Sequence, residues 1–378
     1  MRSSPRSSRS DPSHPLPFIG GALSVLVVVA LVALFNGHAA PSGAQAAGAK
    51  AAGWQTAQGI SGAILQVAFA PSPPTRGYAS VFLDKSSIAV YRTTDEGVHW
   101  GQVATLTTPL LDVLALNPAN PQDLALLPSA LPAAGTYTLQ RSRDGGKTWV
   151  AASVTLADAA SVAAIGWAKD ALLVAFSRDD ATDGGSHLVA FAAQGGATVL
   201  DNAGRLGTIR IDQIRYLHGD GTTITVVGVT QGSTADATAV AGARTSTNGA
   251  TWVPYAFTQG NESLLPLGAT RDGQTVLSIG SRRHTVYLSR NAGQSWHAEH
   301  VRNASAFDLT AARPLIAADG AYFLKLTSDL EPGQYSLQSG IRGRYTGTKD
   351  LSALSYDGAG HLHRLWATDG DALMWQDA

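Results

Sequence analysis

The chain has no cysteine among its 378 residues. That excludes disulfides, thiolate metal sites and a lipid-modified cysteine, and it leaves the redox compartment open. An excess of one charge is also missing: 27 Lys and Arg stand against 28 Asp and Glu, a net charge of −1. A strongly basic nucleic-acid surface is therefore not indicated. The 10 histidines form no His-Glu-x-x-His pattern, and Gly146-Lys147-Thr148 follows Arg141 where a phosphate loop needs glycine, so it reads as a turn and not a nucleotide loop. Zinc-protease and nucleotide chemistry lose their usual signatures. His361-Leu-His363 puts two imidazoles on one face of a strand, but no third ligand accompanies them. We expect no cofactor, no metal and no nucleic acid.

Long apolar runs are absent after the N-terminus. Residues 1–15 are polar, with Arg2, Arg6 and Arg9 against Asp11, and residues 16–35 carry no charge. Twenty helical residues rise about 30 Å, enough to cross a bilayer. Arginines in front place the N-terminus in the cytoplasm and the remainder outside. Residues 16–36 are thus expected to be a transmembrane anchor, and 37–53, rich in Ala, Gly and Ser, a flexible linker. The competing reading is a cleaved secretory signal with a small-residue site at Ala44-Gln45-Ala46, which would make the chain secreted. The length of the run and the remoteness of that site favour the anchor.

Glycine is abundant, with 40 residues, and some of it recurs in register. Ser142-Arg-Asp-Gly-Gly-Lys-Thr-Trp149 returns as Thr93-Thr-Asp-Glu-Gly-Val-His-Trp100, Thr245-Ser-Thr-Asn-Gly-Ala-Thr-Trp252 and Ser289-Arg-Asn-Ala-Gly-Gln-Ser-Trp296. The frame is Ser or Thr, any, Asp or a polar stand-in, any, Gly, any, any, Trp. Its residues are Thr93, Asp95, Gly97 and Trp100; Ser142, Asp144, Gly146 and Trp149; Thr245, Gly249 and Trp252; and Ser289, Asn291, Gly293 and Trp296. A short polar side chain holds a turn by bonding backbone amides, and Gly supplies positive φ. Trp then opens the next strand and buries a large ring.

The tryptophans are separated by 49, 103 and 44 residues. The double gap predicts an eroded box at Ala192-Ala-Gln-Gly-Gly-Ala-Thr-Val199, with Val199 in the Trp position. A further step predicts another ending at Tyr345. Apolar first strands precede the boxes at residues 64–69, 110–116, 162–167, 211–216, 264–268 and 307–311, and a seventh lies at 351–356. Each unit adds a second strand, a third running into the box and a fourth from the Trp. Four short strands per repeat predict an all-β, seven-bladed β-propeller over residues 54–378. The last unit ends after its third strand at 372–378. Residues 54–58, opening with Trp54, are expected to supply the fourth and close the ring.

On these boxes the chain resembles the Asp-box, or BNR-repeat, propellers, a family that includes sialidases, sortilin-type receptors and photosystem II stability and assembly factors. The first strands that carry Asp112 and Asp308 most resemble the last group. The resemblance implies that the box is an outer turn between third and fourth strands, so that Asp95 and Asp144 are structural. A sialidase-like glycoside hydrolase is the alternative reading. It calls for an arginine triad and a Phe/Tyr-Arg-Ile-Pro motif, and nothing of that form lies between Trp54 and Thr93. Asp112 and Asp308, taken as equivalent first-strand positions, could approach the axis as a carboxylate pair. The remaining candidates are loops between second and third strands and between blades. They include Ser177 to His187 with Arg178, Asp201 to Arg210, and Arg282-Arg283-His284, the best match to an anionic partner. The expected function is a non-enzymatic, membrane-tethered scaffold outside the cytoplasm that binds an unknown protein or glycan.

Overall fold

Among the described residues of the computed structural model, every element is a strand. The structure describes residues 53–70, 75–84, 86–107, 111–128, 135–178, 185–231, 238–270, 273–280, 285–299, 313–316, 322–326, 334–338, 344–345, 351–356, 362–369 and 371–377. All lie in the compact unit Gln45–Ala378. The expected anchor at 16–36, Arg282, Arg283, His284 and Asp308 fall outside the described residues. Among the described residues no helix is long and apolar enough to cross a membrane.

The strands form antiparallel four-stranded meanders. The first is Ala63–Phe69, Gly77–Asp84, Ser87–Thr93 and Gly101–Thr107. The next is Val113–Leu116, Leu124–Leu127, Thr136–Ser142 and Val150–Thr155. The same order repeats over residues 159–199, 213–254, 262–299 and 313–345. First strands lie beside first strands. Ala63–Phe69 touches Val113–Leu116 and Leu351–Tyr356, and Gln213–Gly219 touches Ala159–Ala168 and Glu262–Ala269. Apolar clusters then join consecutive sheets face to face: Tyr137 and Leu139 meet Phe176 and Phe191, and Leu173 and Leu188 meet Val226 and Trp252. This is a β-propeller, and each meander is a blade.

That packing explains the apolar pattern. Leu124–Leu127 is buried at every position, and so is most of Ala171–Arg178, because a blade covers each face. Fourth strands such as Gly101–Thr107 stay largely exposed. Near the axis the first strands of two blades pair in parallel at Ala168 and Gly219. A Cβ on Gly219 would come within 2.3 Å of the Ala168 Cβ, so glycine permits the approach.

Meander topology sorts the turns. Turns between first and second strands and between third and fourth strands emerge at one end of a blade. Turns between second and third strands emerge at the other, together with the links between blades. We call these the box end and the loop end.

The N-terminal strand lies where its sequence places it. Gln55 is opposite Trp375 and Thr56 opposite Met374, on the edge of Ala372–Asp377. On its other side, the Gln58 amide donates to the Val98 carbonyl at 2.8 Å, and the Trp100 amide donates to the Gln58 carbonyl at 2.8 Å. One short segment therefore stitches the last blade to the first box. Trp366 completes the seam, with its ring 4.9 Å from that of Phe69.

Three sequence expectations need correction. Val199 does not take the role of a box tryptophan: it ends strand Ala197–Val199 and is 42% exposed, while Leu200 is buried instead. The first strand expected at 307–311 lies outside the described residues. Those expected to start at 162 and 211 run as Ala159–Ala168 and Gln213–Gly219.

At the seam Gly97 has φ +86°, and a Cβ there would sit 2.2 Å from the Trp366 ring. Gly97→Ala should cost about 2–5 kcal/mol, the left-handed penalty plus overpacking. Gly260→Ala, also left-handed at φ +57° but facing open space, should cost only about 1 kcal/mol. Denaturant unfolding of both variants is the check, and equal losses would contradict the packing role. Deleting residues 54–58 should lower the midpoint of the whole transition, as seen by circular dichroism.

Candidate functional site

The box end is built from hydroxyls and amides. In each box the glycine amide donates to the first residue: Gly97 to Thr93 at 2.9 Å, Gly146 to Ser142 at 2.8 Å, Gly293 to Ser289 at 2.9 Å and Gly249 to Thr245 at 3.2 Å. The third residue accepts from the seventh: Asp95 from the His99 amide at 3.0 Å, Asp144 from Thr148 at 2.9 Å and Asn291 from Ser295 at 2.9 Å. Thr247 does the same with its hydroxyl, at 2.9 Å from the Thr251 amide. The Thr148 amide and hydroxyl hold the Asp144 carboxyl down at about 2. Burial acts against the Asp95 carboxylate, but bonds from His99 and Thr93 outweigh it and keep its pKa below the usual range.

These bonds give Asp95 and Asp144 turn roles, as the resemblance implies. The tryptophans differ. The Trp100 and Trp149 indoles donate to their own Gly97 and Gly146 carbonyls, at 2.7 and 2.9 Å, whereas Trp252 reaches back to the Leu200 carbonyl at 3.1 Å. One rule was invisible in the frame. The residue before the glycine is left-handed even when it is not glycine, with φ 59° at Glu96, 51° at Asn248 and 53° at Ala292.

The loop end carries charge. Asp112 stands one residue before its first strand, and so do Asp158 and Asp212. The expected partner of Asp112 was Asp308. Asp308 lies outside the described residues. Asp158 and Asp212 hold the position of Asp112 in the two following blades. Asp112 is half-buried, and its charge adds to burial in raising the Tyr137 pKa.

Asp158 anchors a network. Its carboxylate accepts from Arg178 Nε at 2.5 Å and faces His187 Nε2 at 2.7 Å. The other ring nitrogen of His187 faces Asp201 at 2.9 Å. A carboxylate at each nitrogen favours the protonated ring, which donates twice. The bond to Asp201 raises its pKa, burial opposes that, and the bond to Asp158 adds to it. Asp201 is 0% exposed, and it also accepts from the Leu188 and Gly204 amides, each at 2.8 Å. Arg178 reaches the Ala203 carbonyl at 2.8 Å. In this way the ends of Ala171–Arg178 and Ser186–Phe191 are tied to residues 200–206 in the link to the next blade.

That link was expected to be a loop. It is a small hairpin of Arg205–Leu206 and Ile209–Arg210. Its far end is pinned by Asp212, which accepts from Arg210 Nε at 2.6 Å and from the Gly185 amide at 2.8 Å. Both loops are recognition candidates by sequence, but nothing in the sequence shows that Asp158, His187 and Asp201 meet. The available signal was an aspartate directly before three consecutive first strands, at Asp112, Asp158 and Asp212, hidden because two of those strands start earlier or later than their apolar runs suggest.

No family model matches the sequence, and no curated protein matches it. Solved structures do. The β-propeller domain of Cps50 (Swd1) from Myceliophteria thermophila is 11% identical with a TM-score of 0.50, covering 86% of this chain and 100% of that one. YCF48 from Cyanidioschyzon merolae is 12% identical with a TM-score of 0.48, covering 86% and 98%. An ancestral GH74 enzyme is 11% identical with a TM-score of 0.44, covering 85% of this chain and 49% of that one. At such identities the first of these likenesses shows the propeller fold alone.

The raised pKa of His187 makes a pH prediction. Its contribution to stability is complete below the ordinary value of about 6.5 and is lost as pH rises through the higher folded value. Urea unfolding between about pH 5.5 and 8.5 should show the wild type losing stability relative to His187→Gln as pH rises. Parallel curves would show that the carboxylates do not hold an imidazolium.

Proposed function

We propose that the chain is an Asp-box propeller of seven blades, held outside the cytoplasm by a membrane anchor at residues 16–36, that binds a protein or glycan through its loop end without turning it over. The observation that carries this reading is the network of Asp158, Arg178, His187 and Asp201. It joins a turn within one blade to the hairpin leading to the next, and so makes a rigid platform from two segments that would otherwise move independently. Rigid scaffolds with charged, locally distinctive loops are suited to recognition. Asn202 and Arg205 stand exposed on that platform. The four box turns, by contrast, spend their polar groups on their own backbone.

The blade count rests on the recurring meander and on the N-terminal strand that completes the last one. The family reading rests on the shared bonding of the four boxes. Both carboxylates of the network are already engaged by His187 and Arg178, which suits a supporting role better than attack on a glycosidic bond.

The test uses the full-length chain in its native host. A photocrosslinking residue at Arg205 or Asn202 should give a discrete adduct, and one at Lys147 on the box end should not. Equal labelling from both ends would count against a loop-end partner. Removing residues 16–36 should release the protein from the membrane fraction. Turnover in a fluorogenic sialoside and glycoside screen would replace the scaffold reading with hydrolysis.

A further inference from the structure

At the box end a cavity of about 360 Å³ opens where three consecutive first strands finish. It is lined by Asn117, Trp167, Lys169, His218, Asp220 and Gln274, among others. This volume is at the lower end of the range for small-molecule sites. Its position is opposite to the loop-end platform, and the inference does not depend on that platform.

Lys169 is the informative residue. With Asp170 it forms the two-residue turn between Ala168 and Ala171, and its φ is +55°. Such turns favour Asn, Asp or Gly, which tolerate the left-handed region. The next blade has Gly221 in its corresponding turn, close to the Lys169 side chain: a Cβ on Gly221 would lie 3.5 Å from that of Lys169. A lysine in this conformation is strained and persists only if its surroundings fix it.

The surroundings do fix it. Asn117 of the preceding blade donates to the Lys169 carbonyl at 3.0 Å, and Arg141 of that blade donates to the Asp170 carbonyl at 2.6 Å. Both side chains are buried, and Arg141 is paired with buried Asp123 at 2.6 Å. A buried ion pair therefore grips the turn from behind. The lysine itself is exposed and has no ion pair among the described residues. Asp220 on the opposite wall does not pair with it. One oxygen of Asp220 instead accepts from the Thr222 amide at 2.8 Å, the Thr222 hydroxyl at 2.7 Å and the Thr223 amide at 2.7 Å.

We propose that this cavity is a binding site for a small polyhydroxylated oxyanion, a sugar acid or sugar phosphate, whose anionic group is held by Lys169. Ammonium is a compact cation suited to a carboxylate or phosphate. Trp167 supplies an apolar wall, and Asp220 and Gln274 are the polar residues of the same lining that would face the hydroxyl groups. The strained turn is then retained because it presents the lysine, not because it stabilises the fold.

The experiment is calorimetric titration of the full-length chain with glucuronate, glucose 6-phosphate and inorganic phosphate, with neutral glucose as control. Saturable binding of glucuronate or glucose 6-phosphate, and none of glucose, is expected. The two sugar anions separate a carboxylate from a phosphate preference, and tight binding of phosphate alone would overturn the sugar part of the proposal. Lys169→Gly and Lys169→Asn should weaken binding at least tenfold while keeping a melting midpoint equal to or above the wild type. Lys169→Arg should retain most of the affinity. Absence of saturable binding by the wild type, unchanged affinity in Lys169→Gly, or a lower midpoint in both left-handed-tolerant variants would each overturn it.

Discussion

A single contact recurs wherever this fold has to hold: the box glycine of one blade lies against an apolar side chain of the blade or link before it. Gly97 meets Trp366, Gly146 meets Val103, Gly249 meets Leu200 and Gly293 meets Phe257. A four-stranded sheet has two faces to cover and no helix to cover them. Only the neighbouring blade can do so, and the blades must come close at their outer corners as well as at the axis. The box supplies that corner. Its hydroxyl-to-amide bond folds the turn tightly, and the positive φ of its glycine removes the side chain that would hold the next blade away. Turn geometry and interblade packing are therefore one constraint.

The seam is where this constraint is hardest to meet, because the strand at residues 55–56 joins Ala372–Asp377 without a peptide link. There the contacts accumulate. Residues 54–58 pair with the last strand on one side and with the first box on the other. Trp366 packs between Phe69 and Trp100 with ring separations of 4.9 and 6.3 Å. Arg364 reaches the Glu96 carbonyl at 2.9 Å and stacks 4.0 Å over Trp375. Without cysteine, covalent closure is impossible, and a dense aromatic and main-chain seam does the same work. It also covers the middle of the edge of Ala372–Asp377, which would otherwise be open to another chain.

Legibility in the sequence followed the physics of each feature. Second and third strands were readable because burial on both faces leaves continuous apolar runs, as at Leu124–Leu127. Boxes were readable because φ and packing both demand glycine. Val199 was misread because spacing alone put it in the Trp position, whereas burial falls on Leu200 one residue later. The left-handed residue before the box glycine was missed because Glu96, Asn248 and Ala292 share no chemistry, only a dihedral angle. The loop-end network was missed for another reason. Asp158, His187 and Asp201 come from separate strands and links, and only the blade's meander brings them together.

That meander also explains why the two ends of the molecule differ chemically. At the box end four boxes repeat the same turn, and their first and third residues are committed to local amides. The exception is the turn at Lys169, where a conformation suited to glycine carries a cation and a buried Arg141–Asp123 pair holds it in place. At the loop end no packing rule imposes a shared sequence, and charges can be arranged freely, provided buried ones are paired. Asp201, wholly buried, meets that condition through His187 and two amides. Asp158, about a third exposed, keeps part of its carboxylate at the surface. Selection for stability thus acts mainly on one end of each blade and leaves the other open to selection for recognition, so a residue that defies the stabilising pattern at the box end is the more informative departure.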